Sequence, residues 1–359
     1  MSFMNERIEN LHILSQDRLI TPNALKKKLP LTEKAVSTVY AGHQVIRNIL
    51  DGRDHRLLAI VGPCSIHEQP STMEYAGRLK ELHDECLDTL YIVMRVYFEK
   101  PRTHVGWQGL INDPHLDGSC RIDEGLELAR RMLLDMAQMG LPAAGEALDL
   151  ITPQYIQDLF SWTAIGARTT ESQTHRKMAS GFTCPVGFKN GTDGSVEIAV
   201  NAMRATAQAS NFISVNPRGE VAVVRTRGNP HSHLVLRGSR NSPNFDCKSI
   251  QQCETLLNSA GLPGNIMIDC SHDNARKQPR QQMAILEDMA NQIKLGNRSI
   301  MGFMVESHVH EGRQDLPADA SKLQYGLSIT DACLGWEHTR QSLLQLRKDL
   351  QLVLPNRKK

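Results

Sequence analysis

Short apolar runs recur along the chain, and most are followed by a longer stretch in which apolar residues return every three or four positions. Leu58-Ala59-Ile60-Val61 is the first run, and 71–86 after it has helical spacing. Leu90-Tyr91-Ile92-Val93-Met94 leads across a long loop to 123–139. There Leu126, Leu128, Ala129, Met132, Leu133, Met136 and Ala137 mark one helical face. The alternation continues through 143–147 and 153–160, 163–167 and 170–180, and 186–188 and 194–209. It returns at 233–236 before 248–259, at 266–268 before 281–295, and at 300–305 before a last helix near 339–352. Strands alternating with helices imply a parallel sheet, because a parallel crossover needs a long connection to bring the chain back. Eight such strands in about 280 residues imply an α/β fold of the closed (β/α)8 TIM-barrel kind. An open doubly wound sheet is the alternative, weakened because no G-x-G-x-x-G follows the first strand.

Two features interrupt the pattern. Asn216-Pro217-Arg218-Gly219 is a strong turn signal between the apolar runs 212–215 and 221–226. These read as an antiparallel β-hairpin, 211–227, inserted into a barrel that occupies 51–359. Residues 1–50 read as an N-terminal helical extension, most periodic over 35–50. There is no internal repeat and no low-complexity tract.

Composition narrows the function classes. With 41 Lys+Arg against 39 Asp+Glu, the net charge of +2 argues against a polybasic nucleic-acid binder. Only 3 Trp, 6 Tyr and 8 Phe are present, too few for a base-stacking surface. The longest weakly polar stretch, 57–66, is far short of the ~20 residues that span a bilayer, so no membrane partner is expected. The first residues, Met1-Ser2-Phe3-Met4-Asn5-Glu6-Arg7, do not look like a signal peptide. Eight scattered cysteines without a C-x-x-C pair read as reduced thiols in a cytoplasmic protein.

Chemistry enters at the C-terminal end of each apolar run. In order these positions carry Cys64, Arg95, Glu146, Arg168, Lys189, Arg237, His272 and Glu306, with Lys100, Arg102 and Asp331 in nearby loops. A barrel places all its strand ends on one rim, where active sites of this fold are built. A single Arg or Lys is more often a solvated surface residue. Six at one mouth (Arg95, Lys100, Arg102, Arg168, Lys189 and Arg237) would repel one another, and an anionic ligand is the natural compensation. A phosphate monoester carries about −1.5 to −2, so two phosphorylated substrates, one also a carboxylate, nearly match the six cations. Cys64, His272, Glu306 and Asp331 offer a thiolate, an imidazole and two carboxylates, a mixed donor set that suits several divalent ions. Their spacing gives no independent support, and each has an ordinary structural alternative.

These residues lie in motifs that resemble the class I 3-deoxy-D-arabino-heptulosonate-7-phosphate (DAHP) synthases of the microbial, aromatic-amino-acid-sensitive type. The matching segments include Gly62-Pro63-Cys64-Ser65, Arg95-Val96-Tyr97-Phe98-Glu99-Lys100-Pro101-Arg102-Thr103 and Gly166-Ala167-Arg168-Thr169-Thr170-Glu171-Ser172. Gly187-Phe188-Lys189-Asn190-Gly191-Thr192, Leu236-Arg237-Gly238, Asp269-Cys270-Ser271-His272, Val305-Glu306-Ser307 and Ser328-Ile329-Thr330-Asp331 also match. The resemblance spans about residues 10–350. Ser239 departs from it, standing where a second Gly is usual.

The resemblance implies condensation of phosphoenolpyruvate with erythrose 4-phosphate and water, the entry step of the shikimate route. It assigns Cys64, His272, Glu306 and Asp331 to a divalent metal of the Mn, Fe, Co or Zn type. Arg95, Lys100, Glu146, Arg168, Lys189 and Arg237 correspond to the phosphoenolpyruvate site, and Arg102 and Thr103 to the grip on the aldose phosphate. Lys100, Lys189, Glu146 and His272 are the catalytic candidates. It further implies a homodimer or homotetramer and an aromatic amino acid effector. Asp149, Pro153, Gln154, Met178, Phe182, Thr183, Phe212, Ser214 and Val224 would line the effector cavity, partly closed by a neighbouring subunit's N-terminal segment. Phenylalanine or tyrosine is expected over tryptophan. The rival readings are a Schiff-base lyase using Lys189, an eight-carbon 3-deoxy-octulosonate-8-phosphate synthase and a catalytically silent barrel.

Overall fold

The computed structural model describes residues 9–101, 106–317 and 319–357. Its strands in chain order are β1 (Leu57–Gly62), β2 (Leu90–Arg95), β3 (Ala143–Glu146), β4 (Phe160–Ile165), β5 (Val186–Lys189), β6 (Asn211–Val215), β7 (Val221–Arg225), β8 (Ser232–Leu236), β9 (Ile266–Asp269), β10 (Ile300–His308) and β11 (Leu334–Gly335). The helices are α1 (Pro22–Lys28), α2 (Glu33–Leu50), α3 (Gln69–Glu85), α4 (Ile122–Gln138), α5 (Pro153–Ile156), α6 (Gln173–Ala179), α7 (Glu197–Thr206), α8 (Cys247–Ser259), α9 (Gln281–Lys294) and α10 (Trp336–Leu350).

Strands β1, β2, β3, β4, β5, β8, β9 and β10 pair in that order, all parallel, and β10 returns to β1 to close the ring. The result is a (β/α)8 TIM barrel. At the seam Gly62 lies opposite Glu306. The short β11, not foreseen in the sequence, pairs with the end of β10 outside the ring. Segment 153–160 is helical through Leu159, as its spacing suggests, and the strand expected at 163–167 starts three residues early. After α5 and one 3-10 turn, strand β4 begins at Phe160, because Phe160, Trp162 and Thr163 are strand-favouring residues with buried partners. Trp162 Nε1 donates to His233 Nε2 at 2.8 Å inside the barrel.

Alternate residues of the strands fill the interior. Leu58, Ile60, Tyr91, Val93, Ala144, Trp162, Ala164, Val235, Met267 and Met304 form one cluster, joined by Ile46, Ile49 and Leu50 of α2. His43 of α2 bonds the Phe160 carbonyl at 2.8 Å, and Asn265 Nδ2 donates to the Leu50 carbonyl at 3.0 Å. Helix α2 therefore lies across the end where the strands begin and closes the floor. Its start is fixed by Thr32, whose hydroxyl accepts from the Ala35 N–H at 3.2 Å.

The hairpin β6–β7 is antiparallel, with Phe212 opposite Val224 and Ser214 opposite Ala222. Its turn is held by Asn216 Oδ1, which accepts from the Arg218 and Glu220 N–H groups at 2.8 and 3.1 Å. Phe212 leans on the main core, whereas Ile213, Val221 and Val223 face outward.

Candidate active site

The period of two that fills the interior continues to the mouth, where the inward positions become ionic. Val93 is followed by Arg95 and Tyr97, Ala144 by Glu146, Val235 by Arg237, Met267 by Asp269 and Met304 by Glu306. Arg95 and Asp269 are fully buried, and Lys189 and Glu306 nearly so. Such groups persist in an interior only when other charges or polar atoms face them.

Arg95 Nη1 donates to the Cys64 carbonyl at 2.7 Å and also to the Pro63 carbonyl. Its guanidinium lies 3.6 Å above the centre of the Tyr97 ring. Arg95 Nη2 and Glu306 Oε1 approach to 2.9 Å as an ion pair, yet Oε1 accepts no aligned hydrogen bond among the described residues. One donor atom each from Cys64, Glu306 and Asp331 lies within 4.8 Å of the others. His272 is not in that trio, although its Nε2 is 3.7 Å from Glu306 Oε1. Its Nδ1 faces Asp269 Oδ2 at 2.8 Å, which turns Nε2 toward the carboxylate of Glu306. A buried carboxylate behind one ring nitrogen is the usual way to hold the other as a metal ligand.

Electrostatics sharpen the picture. Burial pushes the Cys64 thiol up, and the Glu306 charge adds to it, against Lys100 and Arg95. Burial would also raise Asp269, but the His272 and Lys189 charges hold its carboxyl well below the usual range. Asp331 behaves likewise, lowered by Lys100, Lys277 and His272 against its burial. Burial and the neighbouring carboxylates hold Cys64 as the thiol, and a cation among these donors would offset them and favour the thiolate.

A cavity of about 310 Å³ opens beside this cluster. Lys100, Glu146, Arg168, Lys189, Arg237, His272 and Asp331 line it, all foreseen from their places in the sequence. Lys277, Thr192 and Thr330 line it as well. Lys100 Nζ reaches the Cys64 carbonyl at 3.0 Å and its sulfur at 3.2 Å, so one ammonium joins cavity and cluster. Gly166 makes room for Glu146: a Cβ there would fall 2.2 Å from Glu146 Oε1. Arg102 and Thr103 lie outside the described residues.

Anionic ligand is not the sole counterweight to the six cations, because at least three have protein carboxylates at hand among the described residues. Arg95 faces Glu306 at 2.9 Å, Lys189 faces Asp269 at 3.2 Å, and Arg237 faces Asp273 at 2.5 Å. Asp269, Asp273, Tyr97 and Lys277 were missed in the sequence. Extending the inward period by two residues past Met267 and Arg95 would have found Asp269 and Tyr97. Nothing local marks Lys277, which reaches Asp331 at 3.3 Å from a distant loop.

The residues expected around an effector lie on three elements. Asp149 accepts the N–H groups of Ile151 and Thr152 at 2.6 and 3.0 Å, just ahead of Pro153 and Gln154 in α5. Met178 lies in the last turn of α6, and Phe182 and Thr183 follow the helix; Thr183 presents its carbonyl to Arg47 of α2. Phe212, Ser214 and Val224 belong to the hairpin. Met178, Phe182 and Phe212 share the main core cluster, and α6 packs on β6. Ser214 is buried with no partner for its hydroxyl among the described residues.

Known proteins resemble this chain over almost its whole length. The model of the DAHP synthetase I family matches residues 28–344. The Tyr-sensitive phospho-2-dehydro-3-deoxyheptonate aldolase of Salmonella typhimurium is 52% identical over 345 residues, 96% of this chain and 97% of that protein. The Phe-sensitive aldolase of Escherichia coli is also 52% identical, over 96% of this chain and 97% of its own length. The Trp-sensitive one from the same species is 47% identical over 95% of this chain and 97% of its own. The solved aldolase of Francisella tularensis superposes with a TM-score of 0.92 at 43% identity, covering 95% of this chain and 99% of that one.

Proposed function

Since the chain belongs to the DAHP synthetase I family and carries out that family's DAHP synthase reaction, the first step of aromatic biosynthesis, we propose that it does so with a divalent metal at the barrel mouth and under control by an aromatic amino acid. The observation that carries this reading is the Cys64, Glu306 and Asp331 trio within 4.8 Å, beside a cavity lined by Lys100, Arg168, Lys189 and Arg237.

The donors fit a cation on the structure's own terms. Glu306 Oε1 is buried without an aligned donor, and the Cys64 thiol is raised by burial and carboxylates that a cation would offset. Cys64, His272, Glu306 and Asp331 would hold the ion, which when bound supplies Lewis-acid polarisation of the erythrose 4-phosphate aldehyde. Arg95, Arg168, Lys189 and Arg237 take the phosphate and carboxylate of phosphoenolpyruvate, guanidinium forks matching both groups. Arg102 and Thr103 would grip the aldose phosphate. C3 of phosphoenolpyruvate then meets the aldehyde carbon, and positive charge grows at C2. Glu146 and Lys189 are placed on the cavity wall to orient the water that adds at C2, after which phosphate leaves by C–O cleavage. Lys100, at 3.2 Å from the Cys64 sulfur, is the cavity ammonium placed to hold a proton near the aldehyde oxygen.

For regulation, the buried Ser214 hydroxyl, the Phe212–Val224 pair and the neighbouring Met178 and Phe182 favour an aromatic side chain, phenylalanine or tyrosine. Asp149 and Gln154 supply polar partners. Relatives sensitive to tyrosine, phenylalanine and tryptophan all lie near this sequence. A homodimer or homotetramer in the cytoplasm completes the reading; no helix among the described residues is long and apolar enough to cross a membrane.

Phosphate release from both substrates tests it. Chelated protein is expected to be inactive and to recover on adding a divalent metal, while the Cys64→Ala variant does not recover. Phenylalanine or tyrosine should inhibit more than tryptophan. Full turnover by rigorously metal-free protein, with inactivation by borohydride and substrate, would replace the metal with an imine at Lys189.

A further inference from the structure

Arg237 stands one residue past the end of β8, where the ladder no longer supplies partners for its backbone. Side chains and loops take over almost group by group. The Leu236 carbonyl accepts from Asn274 Nδ2 at 3.0 Å, and the Arg237 N–H donates to Asn190 Oδ1 at 2.9 Å. The Arg237 carbonyl accepts from the N–H groups of Asp273 and Asn274 at 3.1 and 3.2 Å. The Gly238 N–H donates to Asn244 Oδ1 at 2.8 Å, and its carbonyl accepts from Asn190 Nδ2 at 3.0 Å.

The three amides also join one another. Asn244 Nδ2 donates to Asn190 Oδ1 at 3.2 Å, and the Asn244 N–H donates to Asn274 Oδ1 at 2.8 Å. Asn274 Nδ2 reaches further, to the Asp269 carbonyl at 2.9 Å. Asn190 directly follows Lys189, and Asn274 lies two residues after His272, so three rim loops are fastened at one point. Gly238, with φ of +78°, is required there: a Cβ would sit 2.6 Å from the Asn274 nitrogen.

We propose that Asn190, Asn244 and Asn274 are positioning residues that clasp the backbone around Arg237 and so aim its guanidinium at the phosphoenolpyruvate anion. This rests on the reading of Arg237 as part of that site. The residue type follows from the task. Each position needs a donor and an acceptor on separate arms of one short fork; a carboxylate has no donor, an ammonium no acceptor, and a hydroxyl carries both on a single atom. A neutral amide also adds no charge among Arg237, Lys189, Asp269 and Asp273. With the main chain fixed and Nη1 on Asp273 at 2.5 Å, the guanidinium is held at both ends before substrate arrives. Such orientation is set on folding and costs nothing at the moment of binding.

A double-mutant cycle tests the clasp. Asn244 is half-buried in a surface loop, so Asn244→Ala spares the core, and the melting temperature is measured alongside. Alone it should raise KM for phosphoenolpyruvate about tenfold with kcat within about twofold, since a misaimed cation mainly weakens binding. KM for erythrose 4-phosphate should stay put. In an Arg237→Ala background the same change should add nothing, because the residue it acts through is gone. Asn190→Ser, cutting the same clasp from the other side, should show the same dependence on Arg237. Equal KM increments in both backgrounds, or a lowered melting temperature with unchanged KM, overturn the proposal. An Arg237→Ala variant with unchanged KM for phosphoenolpyruvate overturns instead the placement of Arg237 on which the clasp depends.

Discussion

The floor and the mouth of the barrel are equally buried and chemically opposite. Val93 and Arg95 are both 0% exposed, as are Met267 and Asp269; each pair is two residues apart on the same inward face. At the floor, burial itself is the stabilising term, roughly 25 cal/mol for each Å² of apolar surface removed from water. At the mouth, burial is a cost that pairing only offsets. Stability is thus carried by one end of each strand and chemistry by the other, and the boundary falls within a single step of the β period.

The largest test of that contrast is Glu306→Ala, which leaves Arg95 buried without its carboxylate. A loss of about 3–5 kcal/mol in denaturant unfolding is expected, together with loss of activity. Adding Arg95→Met should restore much of the stability and none of the turnover. If the single change is tolerated, the ionic layer is not the liability described. A smaller test uses Glu99, next to Lys100. Burial pushes its carboxyl up, to about 8, and Asp149 and Glu146 add to this against a hydrogen bond from Thr152. For an acid raised in the folded state, the stabilising contribution is complete below its ordinary value and fades as pH rises toward 8. The wild type should therefore lose a few degrees of melting temperature between pH 5 and 8 that Glu99→Gln retains. A gap independent of pH between the two proteins would contradict this. The smallest effect on catalysis is expected inside the barrel: Trp162→Phe removes the 2.8 Å bond to His233 and part of a fully buried ring, and should cost about 1–3 kcal/mol of stability while leaving kcat/KM alone.

The barrel was legible because its signal is periodic and repeated: apolar runs and helical stretches alternate whatever the details of each loop. The boundary after 153–159 was less so: helical spacing carries to Leu159, and the strand preference and burial of Phe160 and Trp162 start β4 ahead of Thr163. Site residues were legible where they end a strand, as with Lys189 and Glu146, because the fold turns a position in sequence into a position on the rim. Lys277 and Asn244 were not, since they arrive from loops whose path no local pattern encodes. Asp269 was hidden differently. Nothing in the sequence around it shows that its buried carboxylate joins the His272 imidazole, three residues on, to Lys189.

The seam between β1 and β10 has a consequence for how the molecule is made. Cys64 follows one of these strands and Glu306 stands on the other, with Gly62 and Glu306 in register. Thiol and carboxylate are separated by about two thirds of the chain and meet only when the last strand of the ring docks beside the first. An intermediate without β10 beside β1 lacks the pair, so enzymatic competence waits on closure of the cylinder.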